Sequence, residues 1–129
     1  MTEPIDLAEA LSTFDELWSP RIAARVNDYD VRIAKVKGVH VWHAHDDTDE
    51  FFLVLDGVLD IALREQGTER VVTLNRGEVF VAPHGTGHRP SSVDGASLLL
   101  FEPTGTVTVG DRHEQVPDHV DVTVGHRLG

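Results

Sequence analysis

The chain of 129 residues contains no cysteine, which excludes disulfides, thiolate metal sites, iron–sulfur clusters and a cysteine nucleophile together. Any metal must therefore take nitrogen and oxygen ligands. Basic residues are scarce as well: 11 Lys and Arg stand against 22 Asp and Glu, a formal net charge of −11. They are scattered along the sequence and offer no segregated patch to a phosphate backbone, so neither nucleic acid nor an anionic membrane is an expected partner. No run approaches the ~20 apolar residues of a membrane-spanning helix. The N-terminal Met-Thr-Glu-Pro lacks the basic and apolar regions of a signal peptide, and the expected location is cytoplasmic.

What is present is an ordinary globular composition, 40% apolar and 26% charged, suited to one domain over residues 1–129. Leu7, Ala10, Leu11, Phe14, Leu17 and Trp18 recur at helical spacing, with Asp6 and Glu9 approximating a capping box. A helix is expected within residues 1–20, stopped by Pro20 after about Ser19. Beyond it, short runs rich in Val, Ile, Leu and Phe alternate with glycine, the signature of an antiparallel β-sandwich or barrel. Strands are expected near 22–27, 30–36, 39–45, 50–56, 58–64, 70–75, 78–82, 96–102, 105–109 and 119–124. This gives a barrel over 21–110 and a C-terminal segment over 111–129.

Asp56-Gly57 between two apolar runs predicts a type I′ hairpin pairing Val54 with Leu59, Phe52 with Ile61 and Glu50 with Leu63. Glu50 then shares a face with Phe52, Val54, Leu59 and Ile61, expected to line a substrate pocket. A carboxylate there costs several kcal/mol unless something compensates it. Upstream, His43 and His45 lie two residues apart on an expected strand and so on one face. His88, after the Gly- and Pro-rich turn from Gly77 to Gly87, is a fourth candidate, and Asp49 competes with Glu50. Three imidazoles and one carboxylate suit a divalent first-row metal ion such as iron, manganese, nickel, zinc or copper. His40 has the opposite parity on a continuous strand and is expected to face away; His84, His113, His119 and His126 read as surface residues.

These residues carry a resemblance. Gly38-(four residues)-His43-Ala44-His45-(four residues)-Glu50-(six residues)-Gly57, followed by Gly77-(five residues)-Pro83-His84-Gly85-(two residues)-His88, resembles the two motifs of the cupins. The leading gap is one residue short, and Ser92 stands where the second motif has asparagine. The resemblance implies a double-stranded β-helix, or jelly-roll barrel, with His43, His45, Glu50 and His88 as metal ligands. The preceding helix is similar to that of small cupins called mannose-6-phosphate-isomerase-like, a label that does not establish isomerase activity.

The function so implied is a metal-dependent enzyme of dioxygenase, isomerase or decarboxylase type acting on a small oxygen-bearing molecule. The alternative is a non-catalytic module that binds or senses a small ligand. A homodimer is expected, because Phe51, Leu53 and Leu55 form a second apolar row on the face opposite Glu50.

Overall fold

The computed structural model describes residues 3–128. It is mainly β: a five-residue helix α1 (Leu7–Leu11) precedes β1 (Arg21–Val26), β2 (Tyr29–Val39), β3 (His43–Ala44), β4 (Glu50–Gly57), β5 (Leu59–Glu65), β6 (Thr68–Leu74), β7 (Val79–Ala82), β8 (Gly87–Pro103), β9 (Arg112–His113) and β10 (His126–Arg127). No helix among the described residues is long and apolar enough to cross a membrane.

The strand β8 organises the sheet. Its first half pairs with β5 on one side and with β3 and the end of β2 on the other; its second half pairs with β2 and β4. The bend between the halves comes at Gly95 (φ +105°), facing the register shift of β2 between Val36 and Gly38. Two layers result, β10-β1-β2-β8-β4-β7 and β6-β5-β8-β3-β9, with the main core between them. Among the described residues β6 and β7 do not pair with each other, so the expected barrel is an open, two-layered sheet rather than a closed ring.

Alternation decides what fills the core. Along β4 and β5, Phe52, Val54, Leu59, Ile61 and Leu63 are all buried, and Glu50 is buried in the same row. That facing is as the sequence predicts, but the pairing is not. β4 and β5 do not form a hairpin; each pairs with a different half of β8, Phe52 with Leu100 and Ile61 with Pro90. The chain changes layer at Gly57, whose φ of +82° suits glycine. A side chain there would run into the Gly95 carbonyl and the Ala96 backbone. Asp-Gly thus marks a layer crossing in place of a two-residue turn.

The helix is also shorter than expected. Asp6 caps it, accepting from the Glu9 N–H at 3.0 Å, but the Ser12 and Thr13 hydroxyls donate back to the Glu9 and Ala10 carbonyls and end it. The apolar stripe serves two cores: Ala10 and Phe14 pack with Ala23 and Ile33 outside the sheet, whereas Trp18 enters the main core. The expected strands at 105–109 and 119–124 are turns and irregular chain. Their buried valines, Val109 and Val120, plug the core without joining a ladder. Of the expected strand 39–45 only His43–Ala44 pairs as β3, and β8 starts well before 96, extending the expected 96–102.

Replacing Gly57 with alanine is expected to lower stability by about 2 kcal/mol, from backbone strain and the collision with β8. Urea denaturation reads this as a lower midpoint; an unchanged midpoint would show that the crossing tolerates a side chain.

Candidate metal centre

His43 on β3 lies directly opposite His88 on β8, His45 follows two residues later, and Glu50 opens β4. All four side chains are buried, and their donor atoms lie within 4.8 Å of one another. Glu50 Oε1 is the hub, 2.7 Å from His88 Nε2, 3.5 Å from His45 Nε2 and 3.7 Å from His43 Nε2.

The rings are oriented from behind. His43 Nδ1 donates to the Val41 carbonyl at 2.8 Å and His88 Nδ1 to the Thr86 carbonyl at 3.0 Å, which leaves each Nε2 facing the centre. His43 Nε2 and His45 Nε2 are buried without a hydrogen-bond partner. Such orphaned lone pairs are unfavourable in a protein interior, and a cation at the centre would satisfy both together with the Glu50 charge. The donor set and its supporting carbonyls therefore fit a divalent metal.

Electrostatics agree. Burial opposes the Glu50 charge, yet the three imidazoles around it, His88 within hydrogen-bond distance, hold its carboxyl well below the usual range. Burial lowers His45 and His88, but the Glu50 carboxylate outweighs it and raises both. For His43 burial prevails and the ring is held neutral.

Asp49, the competing carboxylate, is exposed and binds the backbone and ring of His84 instead. His84, His113, His119 and His126 are exposed, as expected. Ser92, in the asparagine position, donates to the Val58 carbonyl and accepts from the Gly95 N–H, tying the layer crossing to the bend of β8.

His43 and Glu50 open onto a narrow cavity of about 40 Å³ between the layers, room for about three waters. Of the four residues expected to line the pocket, Phe52 does; Val54, Leu59 and Ile61 are fully buried in the main core and are not part of the cavity wall. None of its wall residues is Lys or Arg.

Two ionisable wall residues are additions to the sequence reading. His40 faces inward, its ring 4.9 Å from both Trp18 and His43, because residues 40–42 leave the strand and parity no longer applies. Glu102, buried on β8, is pushed up to about 8 by burial and by the charge of Glu50. Its signal was legible, since Leu98, Leu100 and Glu102 alternate as the β4 residues do.

The sequence profile of the cupin domain matches residues 30–102. A cupin-2 domain containing protein from Shewanella frigidimarina is 40% identical in sequence and superimposes with a TM-score of 0.72 over 77% of this chain and 93% of its own. The 3-hydroxyanthranilate 3,4-dioxygenase of Xanthomonas campestris is 24% identical over 79% of this chain and 60% of its own length. The chain spans about 60% of the length of the curated relatives it matches. Hydroquinone 1,2-dioxygenase from Sphingomonas sp. TTNP3, in complex with 4-nitrophenol, shares the fold at 23% identity, with a TM-score of 0.69 over 78% of this chain and 32% of its own.

Burial and the neighbouring His43 push His40 down to about 3. The unfolded chain then binds a proton at His40 that the folded chain does not, so this residue's contribution is present above about pH 6.5 and is lost progressively toward pH 3. In chelator-treated protein, His40→Leu is expected to flatten the fall in the urea midpoint between pH 6.5 and 4. An unaltered slope would show that His40 does not set it.

Proposed function

Because the chain belongs to the cupin domain family, we propose that His43, His45, Glu50 and His88 hold one divalent first-row metal ion and that the cavity beside it takes a small oxygen-bearing molecule. The observation that carries this reading is the pair of buried, unpartnered Nε2 atoms aimed at one carboxylate. When bound, such an ion supplies Lewis-acid polarisation or redox chemistry. The protein's own part is to hold each imidazole by its carbonyl partner, to exclude bulk water with Phe52, Leu98 and Leu100, and to keep the Glu50 carboxylate ionised toward the ion.

Among the enzyme types open to such a site, a dioxygenase is the reading supported by the 3-hydroxyanthranilate and hydroquinone dioxygenases to which the chain is similar. Isomerase and decarboxylase types stand behind it. A cavity wall without Lys or Arg does not support the phosphosugar chemistry implied by the mannose-6-phosphate-isomerase-like label. The second reading, a non-catalytic ligand-binding module, is favoured by the small size of the cavity. A cytoplasmic location is part of the proposal.

The same proposal includes a homodimer. Phe51 and Phe101 face outward on adjacent strands, Tyr29 stacks on Phe101 at 4.8 Å, and Val79 and Val81 extend this exposed apolar face along β7. A second copy would cover it. Light scattering at micromolar concentration is expected to give twice the chain mass of 14.2 kDa; the monomer mass would reject the dimer.

Elemental analysis of protein purified without chelators is expected to show about one metal ion per chain, and none in the His43→Ala/His45→Ala variant while the β-rich circular dichroism persists. Full occupancy in that variant would reject the site. Since protons compete for His45 and His88, occupancy is expected to fall as pH drops below about 6.5. Oxygen uptake with catechols, hydroquinones and diketones then separates the two functional readings: metal-dependent turnover supports the dioxygenase, and unchanged ligand under every metal supports the binding module.

A further inference from the structure

Three buried side-chain nitrogens lack a hydrogen-bond partner among the described residues: His43 Nε2, His45 Nε2 and Arg89 Nε. The metal reading uses the first two and leaves the third unexplained. Arg89 follows His88 on β8 and therefore faces the other way, outward from its layer. Its register opposite Ala62, with Arg64 opposite Gly87, puts the two arginines on one outer face, one strand apart. Both converge on the indole of Trp42, Arg64 at 3.8 Å and Arg89 at 5.1 Å from the ring centroid. Arg64 is neutralised there by Glu69 at 3.0 Å and Glu114 at 3.6 Å. Arg89, half-buried beside it, makes neither an ion pair nor a hydrogen bond among the described residues. Two like charges on one indole, one of them unpaired, form an unfavourable arrangement that an anion would relieve.

We propose that Arg89 and Trp42 form a docking site for a small organic carboxylate. The site is an open groove of about 490 Å³, a size that small ligands occupy. A carboxylate accepts from the terminal nitrogens of a guanidinium in a planar fork, while Val116 and Pro117 offer an apolar wall to the rest of the molecule. Two further wall residues are acidic. Glu114 is engaged by Arg64, whereas Asp118 is exposed and disfavours a second negative charge, so a monoanion fits the groove better than a phosphate. The groove lies outside the cavity. Trp42 precedes His43 and Arg89 follows His88, and those two histidines pair across β3 and β8 with their side chains buried on the inner side. Docking here does not depend on the metal reading.

The two tryptophans of the chain report the two compartments separately, since Trp18 lines the cavity and Trp42 the groove. The test uses zinc-loaded protein with isotope-labelled tryptophan, and its readout is the pair of indole N–H resonances, assigned with Trp42→Phe. Benzoate is expected to shift the Trp42 resonance saturably and to leave that of Trp18 in place. Benzamide, of the same shape without the charge, is expected to bind about tenfold more weakly, the worth of one charge-assisted hydrogen bond. Arg89→Gln is expected to weaken benzoate by a similar factor with the circular dichroism unchanged. Equal binding of benzoate and benzamide by the wild type, or no saturable shift of Trp42, overturns the inference even if Arg89→Gln does not fold. So does benzoate binding that is unaltered in a folded Arg89→Gln, that moves Trp18 in place of Trp42, or that is weaker than the binding of inorganic phosphate.

Discussion

The long strand β8 bends at Gly95 and serves both layers of the sheet, and the placement of nearly every interior group depends on it. Four strands pair with it: β3 and β5 with its first half, β4 with its second, and β2 mainly with its second but also, through its end, with its first. His88 stands near one end and Glu102 near the other. The bend brings β3 and β4 to a common interior although they belong to different layers, which is why His43, from one, meets Glu50, from the other. Gly57 packs against Gly95 at the same corner, so the layer crossing and the bend are one steric arrangement rather than two.

Charge burial is the second constraint. A protein interior tolerates ionised groups only where partners repay their lost hydration. Here Asp30, Arg32 and Glu102 form one buried network, Glu50 draws on three imidazoles, and the two meet where Glu102 lies beside Glu50. The first is internally paired. The second leaves two imidazole nitrogens orphaned, and that incompleteness distinguishes a site built for an added ion from a structural network.

The donor set was legible in the sequence because it is encoded locally. Two histidines at strand spacing, a carboxylate in an apolar row and a histidine after a glycine-rich turn can be read without any strand partner. The same reading left His40 aside, because parity holds only while the chain remains a strand, and residues 40–42 leave it. The carboxyl of Glu102 had a parity signal as clear as that of Glu50. Its proximity to Glu50, however, depends on the β4–β8 register, which no local pattern specifies.

By itself the sequence determined which side chains face inward, since alternation along a strand is a property of the backbone and survives any choice of neighbour. That is why Phe52, Val54, Leu59 and Ile61 share the interior with Glu50 although the hairpin expected to align them does not exist. Tertiary structure decided the pairing of β4 and β5 with β8 and the division of the N-terminal apolar stripe between two cores. Each of these is a competition between a local preference and burial against residues distant in the chain. The long-range contact prevails because it removes more apolar surface from water than the local alternative could.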